Sequence, residues 1–187
     1  MLTYEERLSQ DSRWALSEGS RHFENDSSVQ RSLERIARRL DELEIPYAVA
    51  GALAMFHHGY RRFTELVDLL VTRQGLKKIH EELEGLGYVP PFIGSKHLRD
   101  AESGVRIEFI VTGAYPGDGK PKPVAFPDPD SVAIEDQGIR FLNLRSLLEL
   151  KLASGMSNPQ RGRDLVDVQE MIRVLELSDE FGDGLNP

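Results

Sequence analysis

Two carboxylates stand where carboxylates are costly. Asp68 interrupts the apolar run Val67–Val71 (VDLLV), and Glu108 interrupts a second, Val105–Val111 (VRIEFIV). An acid inside a buried strand needs a partner or a metal ion. Two such strands, each with one central acid, suggest carboxylates converging at a sheet edge on Mg²⁺ or Mn²⁺. Mg²⁺ takes hard oxygen ligands, keeps several waters and binds substrate phosphates. The same acids also admit salt bridges to neighbours such as Arg62 or Arg106. Gly51 adds a third element, because an apolar strand runs into it and a helix starts at once. Free backbone N–H groups at such a place attract anions, and glycine lets a phosphate come close; a plain tight turn uses the same residue.

Other side chains carry weaker signals. Lys151 falls in phase with Leu144, Leu147 and Leu148 on one helical face. It either snorkels to the surface or reaches a phosphate. Arg161, Arg163 and Asp164 either bridge a helix to the sheet or touch substrate. Lys120 and Lys122 lie in the PGDGKPKP stretch, which forms a solvated loop or closes over a phosphate as a lid. The adjacent His57 and His58 point to different sides of a helix and suit cap or core roles better than a metal. A serine nucleophile elbow, a zinc motif, a P-loop and a dinucleotide fingerprint are all absent from the sequence.

Composition narrows the classes. The chain has 187 residues, 40% hydrophobic and 29% charged, enough for one full core with a helical annex. With 23 basic against 31 acidic residues the net charge is −8, which argues against a protein that grips nucleic acid mainly by neutralising phosphates. No cysteine is present, so disulfides, thiolate zinc sites and cysteine nucleophiles are excluded. The opening MLTYEERLSQ lacks the apolar core of a signal peptide, and no apolar run is long enough for a membrane span. A cytoplasmic location and no membrane partner are the expectation.

The elements that must position these groups follow from periodicity. Residues 1–28 mix charge and serine with a few large apolar groups, and predict a loosely packed N-terminal arm with one short helix. Val29, Leu33, Ile36, Leu40 and Leu43 recur at helical steps, with Ser27 or Ser28 as N-cap and Pro46 as stop. Then come a strand at Tyr47–Ala50, a short helix at Ala52–His58, a strand at Val67–Val71, a helix at Gln74–Leu86 and a strand at Val105–Val111. Residues 113–130, with five Pro and three Gly, predict a loop. Val132–Ile134 and Ile139–Leu142 flank a hairpin turn at Asp136-Gln137-Gly138. Two helices follow, about 144–156 and 161–177, the last with a core stripe of Leu165, Val168, Ile172 and Leu175; the tail 179–187 is polar and reads as frayed. The expected fold class is α/β (α+β): a mixed sheet with flanking helices in a domain over 29–178, including a small C-terminal helical unit at 144–178.

Taken together, the segment 47–71 resembles the core of the nucleotidyltransferase superfamily, of the minimal or AbiEii-toxin-like kind. That pattern is a hydrophobic strand, Gly-Gly or Gly-Ser, a short helix ending in His-Gly, an Arg, a Thr, and Asp-x-Asp in the next strand. Here stand Val49-Ala50-Gly51-Ala52, His58-Gly59, Arg62, Thr64 and Asp68 at matching spacing. Lys151, then Arg161-Gly162-Arg163-Asp164 and Asp167, resembles the C-terminal element, so the likeness covers about residues 29–175. It implies three carboxylates holding two metal ions that transfer a nucleoside monophosphate from a nucleoside triphosphate to an acceptor hydroxyl of a small molecule, an RNA end or a protein. By position, Asp68 is the second carboxylate and Glu108 the third, while Gly51, Ala52, Arg62, Thr64 and Lys151 serve the nucleotide. The first carboxylate falls at position 66, which is Leu66, and Glu65 points to the opposite face of the strand. That departure opens an alternative: an impaired nucleotide-binding, regulatory or toxin–antitoxin module of the same fold, with a partner protein.

Overall fold

The computed structural model describes residues 2–185. Its centre is a seven-stranded mixed sheet in the order β3-β4-β5-β2-β1-β7-β6. These strands are β1 (Tyr47–Val49), β2 (Leu66–Val71), β3 (Tyr88–Val89), β4 (His97–Asp100), β5 (Arg106–Val111), β6 (Ala133–Asp136) and β7 (Ile139–Leu142). β2 runs antiparallel to β1 and parallel to β5, and β1 runs parallel to β7. The helices are α1 (Tyr4–Gln10), α2 (Ser12–Phe23), α3 (Ser28–Glu42), α4 (Gly51–His57), α5 (Arg73–Leu83), α6 (Pro129–Val132), α7 (Leu144–Ser157), α8 (Gly162–Leu175) and α9 (Asp179–Asp183).

Strand alternation assigns the two faces. Tyr47, Val49, Val67, Leu69, Val71, Ile107 and Phe109 point one way and pack with Val29, Leu33, Ile36 and Leu40 of α3 and Ile79 and Leu83 of α5. Ala48, Leu70 and Leu142 point the other way, against α4, α7 and Val168 and Met171 of α8. Asp68 and Glu108 are in phase with this second set, so both acids face the C-terminal helices. The expected α3 is present with Ser27 as its N-cap, closed by Gln30 into a capping box. It ends well before Pro46, where Glu44 takes a left-handed backbone. The hairpin β6–β7 turns through Gln137 and Gly138, both at positive φ as a two-residue inverse turn requires.

Several expectations are corrected. The N-terminal arm is not loose: α1 and α2 form two capped helices, and Tyr4 is fully buried in the first core. Its hydroxyl donates to Glu18 at 3.1 Å, while Glu5 receives Arg99 of β4 at 2.8 Å. Residue 1 of that arm lies outside the described residues. β3 and β4 have no counterpart in the sequence reading. β4 hides because its inward positions are Leu98 and Asp100, the latter buried on Ser32 (2.6 Å) and on Arg35 of α3. The loop expected at 113–130 is closed by the one-turn α6. In α8 the deep residue is Met171, and Ile172 is 46% exposed, so the stripe is rotated from the one expected. The tail contains α9, whose Phe181 packs on the second core; residues 186–187 lie outside the described set. No helix among the described residues is long and apolar enough to cross a membrane.

Candidate functional site

A cleft of about 460 Å³ opens between the second face of the sheet and the helices α7 and α8. Gly51, Ala52, Arg62, Thr64, Asp68, Glu108 and Lys151 all line it, so the seven residues that the resemblance assigns to metal and nucleotide meet in one place. Leu66, Arg106, Arg161, Arg163 and Asp164 also line it.

The two acids sit on neighbouring parallel strands in direct register, Asp68 opposite Glu108. Adjacent strands lie about 4.8 Å apart, so the two carboxyl groups point side by side into the cleft. They differ in surroundings. Glu108 pairs with Arg106 at 3.2 Å and is 40% exposed. Asp68 is half-buried, and its carboxylate has neither a hydrogen bond nor a salt bridge. Burial, and then repulsion from Glu108, push its carboxyl up to about 6, against the opposing pull of Lys151, Arg161 and Arg106.

Gly51 explains why the strand–helix turn takes this shape. Its φ is +59°, a left-handed conformation that side chains rarely adopt, and a β-carbon there would overlap Asp68 Oδ2. The Asp68 carboxyl therefore lies against the bare α-carbon of the turn. Ala52, by contrast, is ordinary buried helix. Thr64 brackets the start of β2, its hydroxyl 3.3 Å from the Leu66 carbonyl oxygen and 3.5 Å from the Leu66 nitrogen.

Lys151 neither snorkels nor reaches freely into the cleft. It is 7% exposed and donates to Asp164 and Asp167 at 2.8 Å each. Arg62 joins the same network, its Nη2 donating to Asp167 at 3.2 Å. Ser154 donates to Asp164 at 2.7 Å, and Arg161 lies 3.6 Å from that carboxylate. Burial alone would raise the Asp164 carboxyl, but Lys151 and the hydrogen bonds hold it below the usual range. Asp164 thus ties α8 to α7, with Arg161 beside it at the start of the same helix, and the link toward the sheet comes from Arg62. Lys122 is neither a solvated loop residue nor a lid: it donates to the Pro116 carbonyl (2.6 Å) and to Ser157 Oγ (3.0 Å), pinning its loop on α7. Lys120 stays exposed. His57 stacks on Phe141 with ring centroids 4.2 Å apart, and His58 bonds the Leu142 carbonyl at 2.7 Å.

Arg106 was the lining residue that sequence reasoning treated only as a salt-bridge partner. The signal was its two-residue spacing from Glu108, which places both on one face of β5. Asp167, whose motif position alone does not reveal a role, is 2% exposed and joins Lys151 to Arg62.

Asp68 and Glu108, adjacent and aimed alike, with Asp68 unpartnered, suit one hard cation that keeps water and phosphate ligands. Among the described residues no group of three or more His, Asp or Glu side chains could hold a metal. Position 66, where the resemblance places a further carboxylate, is Leu66.

The fold matches that of solved nucleotidyltransferase structures. The crystal structure of ANT(2″)-Ia in complex with adenylyl-2″-tobramycin is similar over 82% of this chain and 92% of that one, with a TM-score of 0.55 and 11% identity. The solution structure of the antibiotic-resistance factor ANT(2″)-Ia gives a TM-score of 0.56 at 13% identity, over 82% of this chain and 87% of that one. A Thermotoga maritima protein whose crystal structure is described as that of a nucleotidyltransferase gives 0.51 at 18% identity, over 73% and 89%. At these identities the likeness establishes the fold. No protein-family model matches the sequence, and no curated protein matches it.

Proposed function

We propose that the chain binds a nucleoside triphosphate with Mg²⁺ or Mn²⁺ in this cleft and transfers the nucleoside monophosphate to an acceptor hydroxyl. The observation that carries the reading is Asp68, a half-buried carboxylate without a partner, in register with Glu108 beside the glycine turn. A divalent cation, which Asp68 and Glu108 would hold, would offset the charge that develops on the phosphate oxygens. Gly51 leaves room for the Asp68 carboxyl against the turn, and Arg106, Arg161 and Arg163 supply positive charge along the cleft. The acceptor oxygen forms a bond to the α-phosphorus as the bond to the leaving pyrophosphate breaks.

The lining favours phosphate. Arg62, Arg106, Lys151, Arg161 and Arg163 face Asp68, Glu108 and Asp164, with Asp167 behind Lys151 and Arg62, so basic groups outnumber acidic ones in a protein whose net charge is −8. Such a local reversal of sign concentrates an anionic ligand. It also disfavours a polycationic acceptor, so a neutral or anionic hydroxyl compound, RNA end or protein side chain fits better than an aminoglycoside.

The test is incubation with each of the four NTPs and Mg²⁺ or Mn²⁺, read as pyrophosphate release and as a rise in melting temperature. Ligand at 100 times its Kd stabilises the native state by about 2.7 kcal/mol. Release that disappears in Asp68→Asn is the expected result; no thermal shift with any NTP overturns the reading. Leu66 favours a second reading, a nucleotide-binding module with impaired transfer that serves regulation or a toxin–antitoxin pair. It predicts the thermal shift without pyrophosphate.

A further inference from the structure

We infer that this cleft works with one divalent cation and that the Arg106 guanidinium supplies the positive charge of a second; the inference rests on the nucleotide-binding reading above. Leu66 and Asp68 are the two consecutive cleft-facing positions of β2. Their register partners on β5 are Arg106 and Glu108 respectively. The cleft floor is therefore two rows, one Asp68 with Glu108, the other Leu66 with Arg106. The rows are about 6.7 Å apart along the strands. The first row offers oxygen ligands. The second offers an aliphatic side chain and a cation.

Three features make the second row hostile to a metal and suited to a phosphate. Leu66 has no donor oxygen, and its acidic neighbour Glu65 is exposed on the other face of the strand. Arg106 carries a permanent positive charge that repels a second divalent ion at this spacing. Its guanidinium is also under-used: Nη2 pairs with Glu108 at 3.2 Å, Nε lies 4.0 Å from Glu5, and that buried Nε has no hydrogen-bond partner. A planar fork of N–H donors recognises two phosphate oxygens at once, which a lysine does not. Leu66 is thus not merely a lost ligand. Its loss is matched by a fixed cation in the same row, so the triphosphate meets one exchangeable charge and one built into the strand.

The test counts ions on the intact protein. Mn²⁺ is titrated into the protein saturated with an α,β-methylene ATP analogue and followed by electron paramagnetic resonance and calorimetry. One Mn²⁺ per chain, with the spectrum of an isolated ion, is expected. Two spin-coupled ions with the analogue bound overturn the inference and leave the nucleotide reading standing. No analogue binding, with or without metal, overturns that reading and the inference with it. Binding of the analogue in EDTA isolates the arginine. Arg106→Gln is expected to weaken it at least about tenfold, as loss of a charged hydrogen bond does, with Arg106→Lys intermediate. An unchanged Kd in folded Arg106→Gln overturns the role given to Arg106. Leu66→Asp combined with Arg106→Ser is expected to bind a second Mn²⁺, and a count that stays at one in the folded double variant counts against the arrangement.

Discussion

At the scale of single residues, the cleft trades stability for an unpaired carboxylate. Asp68 has its pKa raised from 3.8 to about 6, so the folded protein keeps a proton that the unfolded chain releases. The sign follows from linkage: stability falls as pH rises from about 4 to about 6, then stays at the lower level. Asp68→Asn removes the titration. The variant is expected to be more stable than the parent at pH 7.5 by about 1–3 kcal/mol, with the gap closing toward pH 4. Urea unfolding at the two pH values measures this, and a parent protein whose stability does not fall across that window contradicts it. Function-bearing groups are commonly held in such unfavourable surroundings.

At the scale of elements, the joint between α7 and α8 is electrostatic at its centre. Asp167 accepts from both Lys151 and Arg62, so its removal leaves two cations in a largely buried place with only Asp164 to oppose them. Asp167→Ala is expected to cost about 3–5 kcal/mol, and Lys151→Met combined with Asp167→Leu much less, because the pair is then replaced by apolar groups. Equilibrium unfolding of both variants decides it, and a double variant no better than the single one sinks the idea. Legibility in the sequence divided along the same physical line. α3, β2 and β5 announce themselves because their inward residues are all apolar at a fixed period, or broken by one acid that is itself the signal. β4 stayed hidden because one of its two inward positions is Asp100, whose burial depends on Ser32 and Arg35, 68 and 65 residues away in the chain. The partners of Lys151 were likewise unreadable. Periodicity put it on a buried face, but only the crossing of α7 with α8 decides that Asp164 and Asp167 meet it.

At the scale of the molecule, the N-terminal helices belong to the core and reach the rim of the cleft. Tyr4 fills the first core, and His22 of α2 bonds the carbonyl of Arg62 at 2.9 Å, behind the arginine that joins the α7–α8 network. Tyr4→Ala is expected to cost about 3–5 kcal/mol, a core penalty and not that of a frayed end. Thermal melts monitored by near-ultraviolet dichroism check this, and a loss under 1 kcal/mol returns α1 to the status of an appendage. The sequence showed Tyr4 as one aromatic among charges, since its neighbours in space come from residues far along the chain.

The overlap that any β-carbon at position 51 would make with the carboxyl at position 68 ties two sites 17 residues apart into one hereditary unit. A descendant can enlarge the turn only after shrinking the acid, and can regain the acid only while the turn is bare. Across divergent copies, glycine at one place and aspartate at the other should therefore be kept or lost as a couple, and a copy that has abandoned the chemistry should betray itself at the turn as readily as at the strand.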